Sequence, residues 1–344
     1  MAWNYGDILD TIAPMLPADA PAMIHGDRMI TWGETTKRTN NIARGLIERG
    51  AKPDDKLAFY MRNRPEYMET LATSFKARMI HVNVNYRYTA DEVFYIFDNS
   101  DAQTVVYGSE FRHIIEELKD RLTKVATFIE VTEDGTTAAF AEDFETLATN
   151  GDGSQLDIKR SPDDQLFIYT GGTTGMPKGV MWRHDDMREA QLNALRRLGP
   201  VPESLEELQA AINEVGPAGK YDLSSMETLI SSGVMWSMEV KQGLLKHMPT
   251  AIMTDSFGSS EGLGFGSSLT TADGVISTAK FQIGDRCKVF DEQDNLIEPG
   301  SGKPGFIALT GPIPVGYYKD EEKTAKTFKT IDGVRYSMPG DWCT

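Results

Sequence analysis

The sequence has little of what builds a disulfide scaffold, a nucleic-acid interface or a membrane span. Only two cysteines, Cys287 and Cys343, occur in 344 residues. Two thiols cannot staple a chain of this size, and they exclude a zinc ribbon built from paired Cys motifs. Their scarcity suits a reducing compartment. Positive charge is also short. The chain has 35 Lys+Arg against 51 Asp+Glu, a net charge of -16, which is the opposite of the basic footprint of a nucleic-acid binder. A small anion is still admissible, because local cations and backbone amides can hold one. Residues 1–20 contain Asp7, Asp10 and Asp19 and no Lys or Arg, so they lack the basic start of a signal peptide. No run approaches the ~20 apolar residues of a membrane span. The expectation is a cytoplasmic protein with no integral membrane segment and no nucleic-acid partner.

What is present is an alternating pattern. Thr31 with Glu34, and Thr89 with Glu92, read as capping boxes ahead of helical apolar spacing. Lys56–Met61, Met79–Val84, Gln103–Tyr107 and Val125–Val131 are short apolar runs that read as buried strands. Strands alternating with helices predict an α/β architecture with a mainly parallel sheet. Residues 132–160 read as a linker around Gly151-Asp152-Gly153-Ser154. A second alternating region follows. Leu166–Thr170, Met226–Ile230 and Ala251–Phe257 read as strands, and Asp185–Leu198, Leu205–Val215 and Met238–Met248 as helices. Beyond residue 280 the pattern turns β-rich, with a hairpin at Lys288–Ile297 and a strand at Gly305–Thr310. The expected division is 1–160, a first α/β subdomain; 161–280, a second; and 281–344, a small β-rich subdomain.

The segment with most chemistry in it runs from Tyr169 to Gly179, Tyr-Thr-Gly-Gly-Thr-Thr-Gly-Met-Pro-Lys-Gly. An apolar strand enters four glycines, three threonines and a lysine. Glycines let backbone N–H groups approach a ligand closely. Hydroxyls and a mobile ammonium add donors, and the set suits a polyphosphate. The usual P-loop is a poor match, because Met-Pro precedes Lys178 and Gly179 stands where Ser or Thr is required. A plain Gly/Thr surface turn is the alternative.

Tyr169–Val180 resembles the phosphate loop of the adenylate-forming superfamily, the group of acyl-CoA synthetases and firefly luciferase, with Gly172 where the family usually has Ser. Asp255-Ser-Phe-Gly-Ser-Ser-Glu261 resembles its aromatic-Gly-x-Thr-Glu motif, with Ser260 in place of Thr. Ser232-Gly233-Val234 is similar to the turn bordering adenine. Gly302–Tyr317 resembles a largely structural signature, and Tyr336–Asp341 the ribose-binding motif. Val180–His184, Val82–Tyr88, Tyr221–Ser225 and Ile313–Asp320 look most like fatty-acyl and steroid side-chain acyl-CoA synthetases.

The resemblance implies the large N-terminal domain of such an enzyme: two stacked αβ sheet subdomains and a small β-rich one. It implies nucleotide contacts from Thr170, Gly171, Gly172, Thr173, Thr174, Gly175, Lys178, Ser232, Gly233, Val234, Ser256, Phe257, Gly258, Ser259, Ser260 and Asp341. Thr173, Thr174, Lys178 and Glu261 would carry the catalytic load, with Glu261 on Mg²⁺. The substrates would be ATP, coenzyme A and a small-molecule carboxylate, and a homodimer is a common assembly of such enzymes. Read one at a time, Glu261 also suits a solvated carboxylate, Phe257 a core aromatic and Asp341 a turn residue. His184, beside Trp182, reads as structural. The loops after Thr170, Ser232 and Phe257 each follow a predicted strand, so they are expected at one sheet edge, where ligands bind beyond strand carboxyl ends.

Two departures stand out. Only 83 positions separate Lys178 from Glu261, where the family has a much longer segment; the shortfall falls near Gly219–Tyr221. The family also continues past the ribose motif into a C-terminal lid domain carrying a catalytic lysine, whereas three residues follow Asp341 here. Removing a strand and helix from a packed sheet leaves a void that cores tolerate poorly. The expectation is therefore that residues are wanting from the sequence as written rather than deleted from the protein. The rival readings are an aromatic or other carboxylate ligase, a nucleotide-binding remnant without turnover, and a P-loop ATPase.

Overall fold

The core signals in the first 131 residues fold as they read; of the two predicted capping boxes, Thr89–Glu92 forms in full and Thr31–Glu34 only by its Thr31 half. A computed structural model describes residues 4–170, 176–196, 200–204, 206–207, 210, 227–232, 236–274 and 281–344. Thr31 caps a helix over Trp32–Glu48 by accepting the Glu34 N–H at 3.2 Å. Glu92 reaches back to accept the Thr89 N–H at 2.8 Å, opening the helix Ala90–Asn99. Of the predicted helix over Leu205–Val215 only residues 206–207 and 210 are described, and these are helical; its remaining residues and the stretch Tyr221–Ser225 lie outside the described residues.

The described residues cluster into two units. The first lies within Met1–Asp185, Pro202–Pro217 and Tyr317–Lys319. It opens with helix α1 (Tyr5–Ile12) and the hairpin β1 (Pro21–His25) and β2 (Arg28–Thr31), before α2 (Trp32–Glu48). Strands β3 (Lys56–Tyr60), β4 (Ile80–Asn83), β5 (Ala102–Gly108), β6 (Thr127–Val131), β7 (Glu142–Asp143), β8 (Gln165–Thr170) and β9 (Lys178–Arg183) share one sheet of eight strands. Its order is β9-β8-β4-β3-β5-β6-β7, with a short edge strand ending at Tyr317 beside β9. Strands β3 to β8 run parallel, and β9 turns back antiparallel to β8. Both faces are apolar: Tyr60, Val82, Phe97, Val105 and Phe167 form one core cluster, and Leu57, Phe59, Val106, Ile129 and Phe144 another. Continuous apolar runs are what a sheet buried on two faces requires.

Helix α1 is tied down by polar contacts. Asn4 donates to Ser161 O at 2.7 Å, and buried Arg160 meets Asp7 at 3.0 Å and Asp10 at 2.8 Å. The Tyr5 N–H faces His184 Nδ1 at 3.4 Å, and the Phe75 ring packs edge-on against both His184 and His81. His184 thus takes the structural place expected of it. Burial holds the His81 imidazole down to about 3 and that of His184 down to about 4. Both are neutral in the folded state and take up a proton more readily once unfolded, near 6.5. Stability is therefore fully present above pH 6.5 and falls as pH drops toward the folded values. For His81 alone the loss by pH 5 is about 2 kcal/mol. Urea unfolding at pH 7 and pH 5 should show this loss in the wild type and a smaller one in His81→Leu. Equal losses in the two proteins would contradict it.

The second unit lies within Asp186–Val201, Ala218–Gly316 and Asp320–Thr344. Helix α3 (Pro65–Lys76), α4 (Ala90–Asn99), α5 (Arg112–Leu118) and α6 (Phe144–Thr149) belong to the first unit, and α7 (His184–Leu195) leads out of it. In the second unit, β10 (Thr228–Ser232), α8 (Met238–His247), β11 (Ile252–Ser259), β12 (Gly262–Thr270) and β13 (Gln282–Ile283) build a four-stranded sheet in sequence order. Strands β14 (Cys287–Phe290) and β15 (Gly305–Thr310) join Phe328–Ile331, Val334–Ser337 and Trp342–Cys343 in a five-stranded antiparallel sheet. Among the described residues no helix is long and apolar enough to cross a membrane.

Candidate active site

The predicted phosphate loop joins two paired strands. Thr170, exposed, is the last residue of β8, and Lys178, half-buried, is the first of β9; the two are register partners. Gly171, Gly172, Thr173, Thr174 and Gly175 lie outside the described residues. A P-loop lysine sits where a strand runs into a helix. Here the lysine opens an antiparallel strand, which removes the P-loop ATPase reading.

The base of this hairpin is fixed. A side chain at Gly179 would bring a Cβ to 2.7 Å from the Tyr169 ring, so only glycine fits beneath it. Tyr169 is itself held by its hydroxyl, which donates to Asn99 Oδ1 at 2.8 Å. On the other side, the Tyr318 N–H donates to Gly179 O at 2.9 Å. Tyr318 packs on Phe167 at 5.0 Å and gives its own hydroxyl proton to Asp101 at 2.7 Å. Tyr318, the residue just after the Gly302–Tyr317 signature, thus reaches the residue after Lys178. A cleft of about 510 Å³ opens at the carboxyl ends of β3, β4 and β8, lined by Met61, Asn83, Asn85, Tyr86 and Thr170 among others. This is the sheet edge where ligands of open α/β folds bind.

In the second unit three motif segments are joined. Strands β10 and β11 are parallel, and Ser232, the last residue of β10, is the register partner of Ser256. Strand β11 then turns back as β12 through a tight hairpin, with Ser259 opposite Gly262 and Ser260-Glu261 at the tip. Glu261 is held through its backbone. Its N–H donates to Ser259 Oγ at 3.2 Å, and its carbonyl accepts the Ser337 hydroxyl at 2.6 Å. Ser337 is fully buried and belongs to the predicted ribose motif. Phe257, half-buried, lies 5.7 Å from Phe265 and 5.6 Å from Phe281. Gly258 lies between Phe257 and Ser259 in the bulged part of the pairing. Asp341 is exposed; its carbonyl accepts the Ile307 N–H at 3.0 Å. Gly233 and Val234 lie outside the described residues.

One expectation is corrected. The loops after Thr170, Ser232 and Phe257 do not share a sheet edge: β8 belongs to the eight-stranded sheet, and β10 and β11 to the four-stranded one. The chain leaves the first sheet after β9 and starts another. Sequence reasoning also missed β9, β12 and Ser337. The short apolar run Val180-Met181-Trp182 was the available signal for β9.

For a divalent cation, the described residues hold no group of three or more His, Cys, Asp or Glu. Glu261 at a hairpin tip contributes one carboxylate, next in sequence to the hydroxyl residue Ser260. That fits Mg²⁺, which keeps several waters and is shared between one or two carboxylates and substrate phosphates.

Comparison with known proteins identifies the family and the fold. The family model described as AMP-binding enzyme matches residues 10–203. A Mycobacterium marinum protein named medium/long-chain-fatty-acid–CoA/3-oxocholest-4-en-26-oate–CoA ligase is 32% identical over 421 residues, covering 99% of this chain and 76% of that protein. The 3-oxocholest-4-en-26-oate–CoA ligase of Rhodococcus rhodochrous is 32% identical over 424 residues, with the same coverage of 99% and 76%. The 421 aligned positions exceed the chain's 344 residues by 77, so the relative carries at least that many residues inside the matched span with no counterpart here. The solved N-terminal domain of FACL13 from Mycobacterium tuberculosis, 17% identical, superposes with a TM-score of 0.73 over 99% of this chain and 96% of that one. The mixed α/β fold is that of the N-terminal domain of adenylate-forming enzymes, and the chain belongs to the AMP-binding enzyme family.

Proposed function

We propose that the protein is an ATP-dependent acyl-CoA synthetase for a fatty acid or a steroid side-chain carboxylate. A carboxylate oxygen attacks the α-phosphorus of ATP, the bond to the β-phosphate oxygen breaks, and acyl-AMP and pyrophosphate form. The thiolate of coenzyme A then attacks the acyl carbonyl and AMP leaves. The observation that carries the reading is the joining of Ser232, the Ser256–Glu261 hairpin and the Tyr336–Asp341 motif within one unit. These segments stand far apart in sequence, and a nucleotide needs all three kinds of contact.

Each residue has a role in this reading. Phe257 stacks on adenine, Ser232, Gly233 and Val234 border it, and Asp341 holds the ribose hydroxyls. Ser260 meets the α-phosphate, with Ser256, Gly258 and Ser259 shaping its approach. Thr170, Gly171, Gly172, Thr173, Thr174, Gly175 and Lys178 cradle the departing phosphates. Glu261 would hold Mg²⁺, which when bound neutralises phosphate charge and orients the displacement. The acid is read from relatives named for fatty and cholestenoic acids. We place the protein in the cytoplasm, with a homodimer as its assembly.

The test is thioester formation from ATP and coenzyme A with a panel of acids. Turnover is expected with medium- to long-chain fatty acids or sterol side-chain acids. Turnover confined to aromatic acids would move the assignment to another carboxylate ligase. A second reading draws on the 77 absent positions: nucleotide binding without turnover. ATP binding with no thioester from any acid would favour it.

A further inference from the structure

One buried charge pair has no part in the contacts above. Lys241, on α8, is fully buried, and Asp255, on β11, is 2% exposed. The Lys241 ammonium donates to Asp255 Oδ2, and the Thr270 hydroxyl oxygen lies 3.5 Å from the same nitrogen. Asp255 Oδ1 has no hydrogen-bond partner among the described residues. Leu245 on the helix, Met248 at its C-terminal cap and Met253 on the strand are buried apolar neighbours in sequence.

Taking both charges out of water costs about what their attraction returns, and an apolar pair of similar volume is often as stable. What the pair adds is a unique fit. A one-residue slip of a strand carries every side chain to the other face of the sheet. A slip of β11 would therefore strand Lys241 as a bare buried charge. The fixed element is the one that matters for the nucleotide. Asp255 directly precedes Ser256, the register partner of Ser232, and lies two residues before Phe257. Helix α8 begins six residues after Ser232, capped by Ser237, which accepts the Val240 N–H at 3.3 Å.

We propose that Lys241 and Asp255 are positioning residues that lock the Ser232 end of β10 and the Ser256–Glu261 hairpin in one register. The proposal rests on the nucleotide reading of these segments. Neither side chain touches the ligand; each acts through the backbone it anchors.

The test uses the full chain, with Mg·ATP affinity from calorimetric titration, thermal unfolding and the kinetics of carboxylate-dependent pyrophosphate exchange. The wild type is titrated first. The double variant Lys241→Met/Asp255→Leu removes both charges at similar volume. It is expected to unfold within a few degrees of the wild type but to bind Mg·ATP about tenfold more weakly, less than the roughly 10²-fold that a misplacement of about 1 Å can cost. Its KM for ATP should rise by the same factor, with KM for the acid unchanged. Lys241→Met alone, which leaves Asp255 bare, should lose both stability and affinity. A folded double variant with wild-type affinity overturns the proposal. So does a double variant that fails to fold, because the pair is then a stability element. Wild-type protein that binds no Mg·ATP overturns the nucleotide reading and this inference with it, whereas the other two results leave that reading standing.

Discussion

Glu261→Gln is expected to slow carboxylate-dependent ATP–pyrophosphate exchange by a factor on the order of 10² to 10³, the scale of removing one charge-stabilising group from an active site. The protein should remain folded. Glutamine keeps the size of the side chain and loses only its charge. The hairpin that displays residue 261 is held by the backbone, through Ser259 Oγ at its N–H and the buried Ser337 hydroxyl at its carbonyl. Circular dichroism and melting temperature should therefore match the wild type. Unchanged exchange in the variant would sink the metal role. Loss of exchange accompanied by loss of fold would make Glu261 a structural carboxylate.

The second large effect is expected at Lys178. Lys178→Met keeps a long side chain on the first residue of β9 and removes its ammonium. The strand should survive, because its pairing with Thr170, the Gly179 contact under Tyr169 and the Tyr318 hydrogen bond to Gly179 O all lie in the backbone or in other side chains. Phosphoryl chemistry depends on positioning and charge stabilisation. The variant should raise KM for ATP and lower kcat in exchange, together costing on the order of 10² in kcat/KM. A defect in the acid's KM alone would place Lys178 at the carboxylate instead.

The parts of the fold that depend on local chemistry were readable in the sequence. Thr89 and Glu92 cap as their spacing says, and the runs at Lys56, Met79 and Gln103 become central strands because sheets buried on both faces need continuous apolar stretches. Strand β12 was hidden for the opposite reason. Its Gly-Leu-Gly-Phe-Gly-Ser-Ser-Leu-Thr has three glycines and two serines, which resemble a loop. Strand β9 was masked by the helix signal that follows it at once. Sheet membership was out of reach as well. Nothing local to Thr170, Ser232 or Phe257 says that β8 pairs with β4 while β10 and β11 pair with each other. The site motifs were legible as motifs, through glycine, hydroxyl and charge at fixed spacing. Their supports were not. Ser337 and Glu261 lie 76 residues apart, and Lys241 sits on a helix where lysine ordinarily faces water.

The most direct test of the adenylation chemistry is exchange of labelled pyrophosphate into ATP by the purified protein, with and without a medium-chain fatty acid, in the presence of Mg²⁺ and without coenzyme A. The acid-dependent formation of an acyl-adenylate predicts label in ATP only when the acid is present. Label incorporated equally without acid, or ATP hydrolysed to ADP and phosphate regardless of acid, would contradict it.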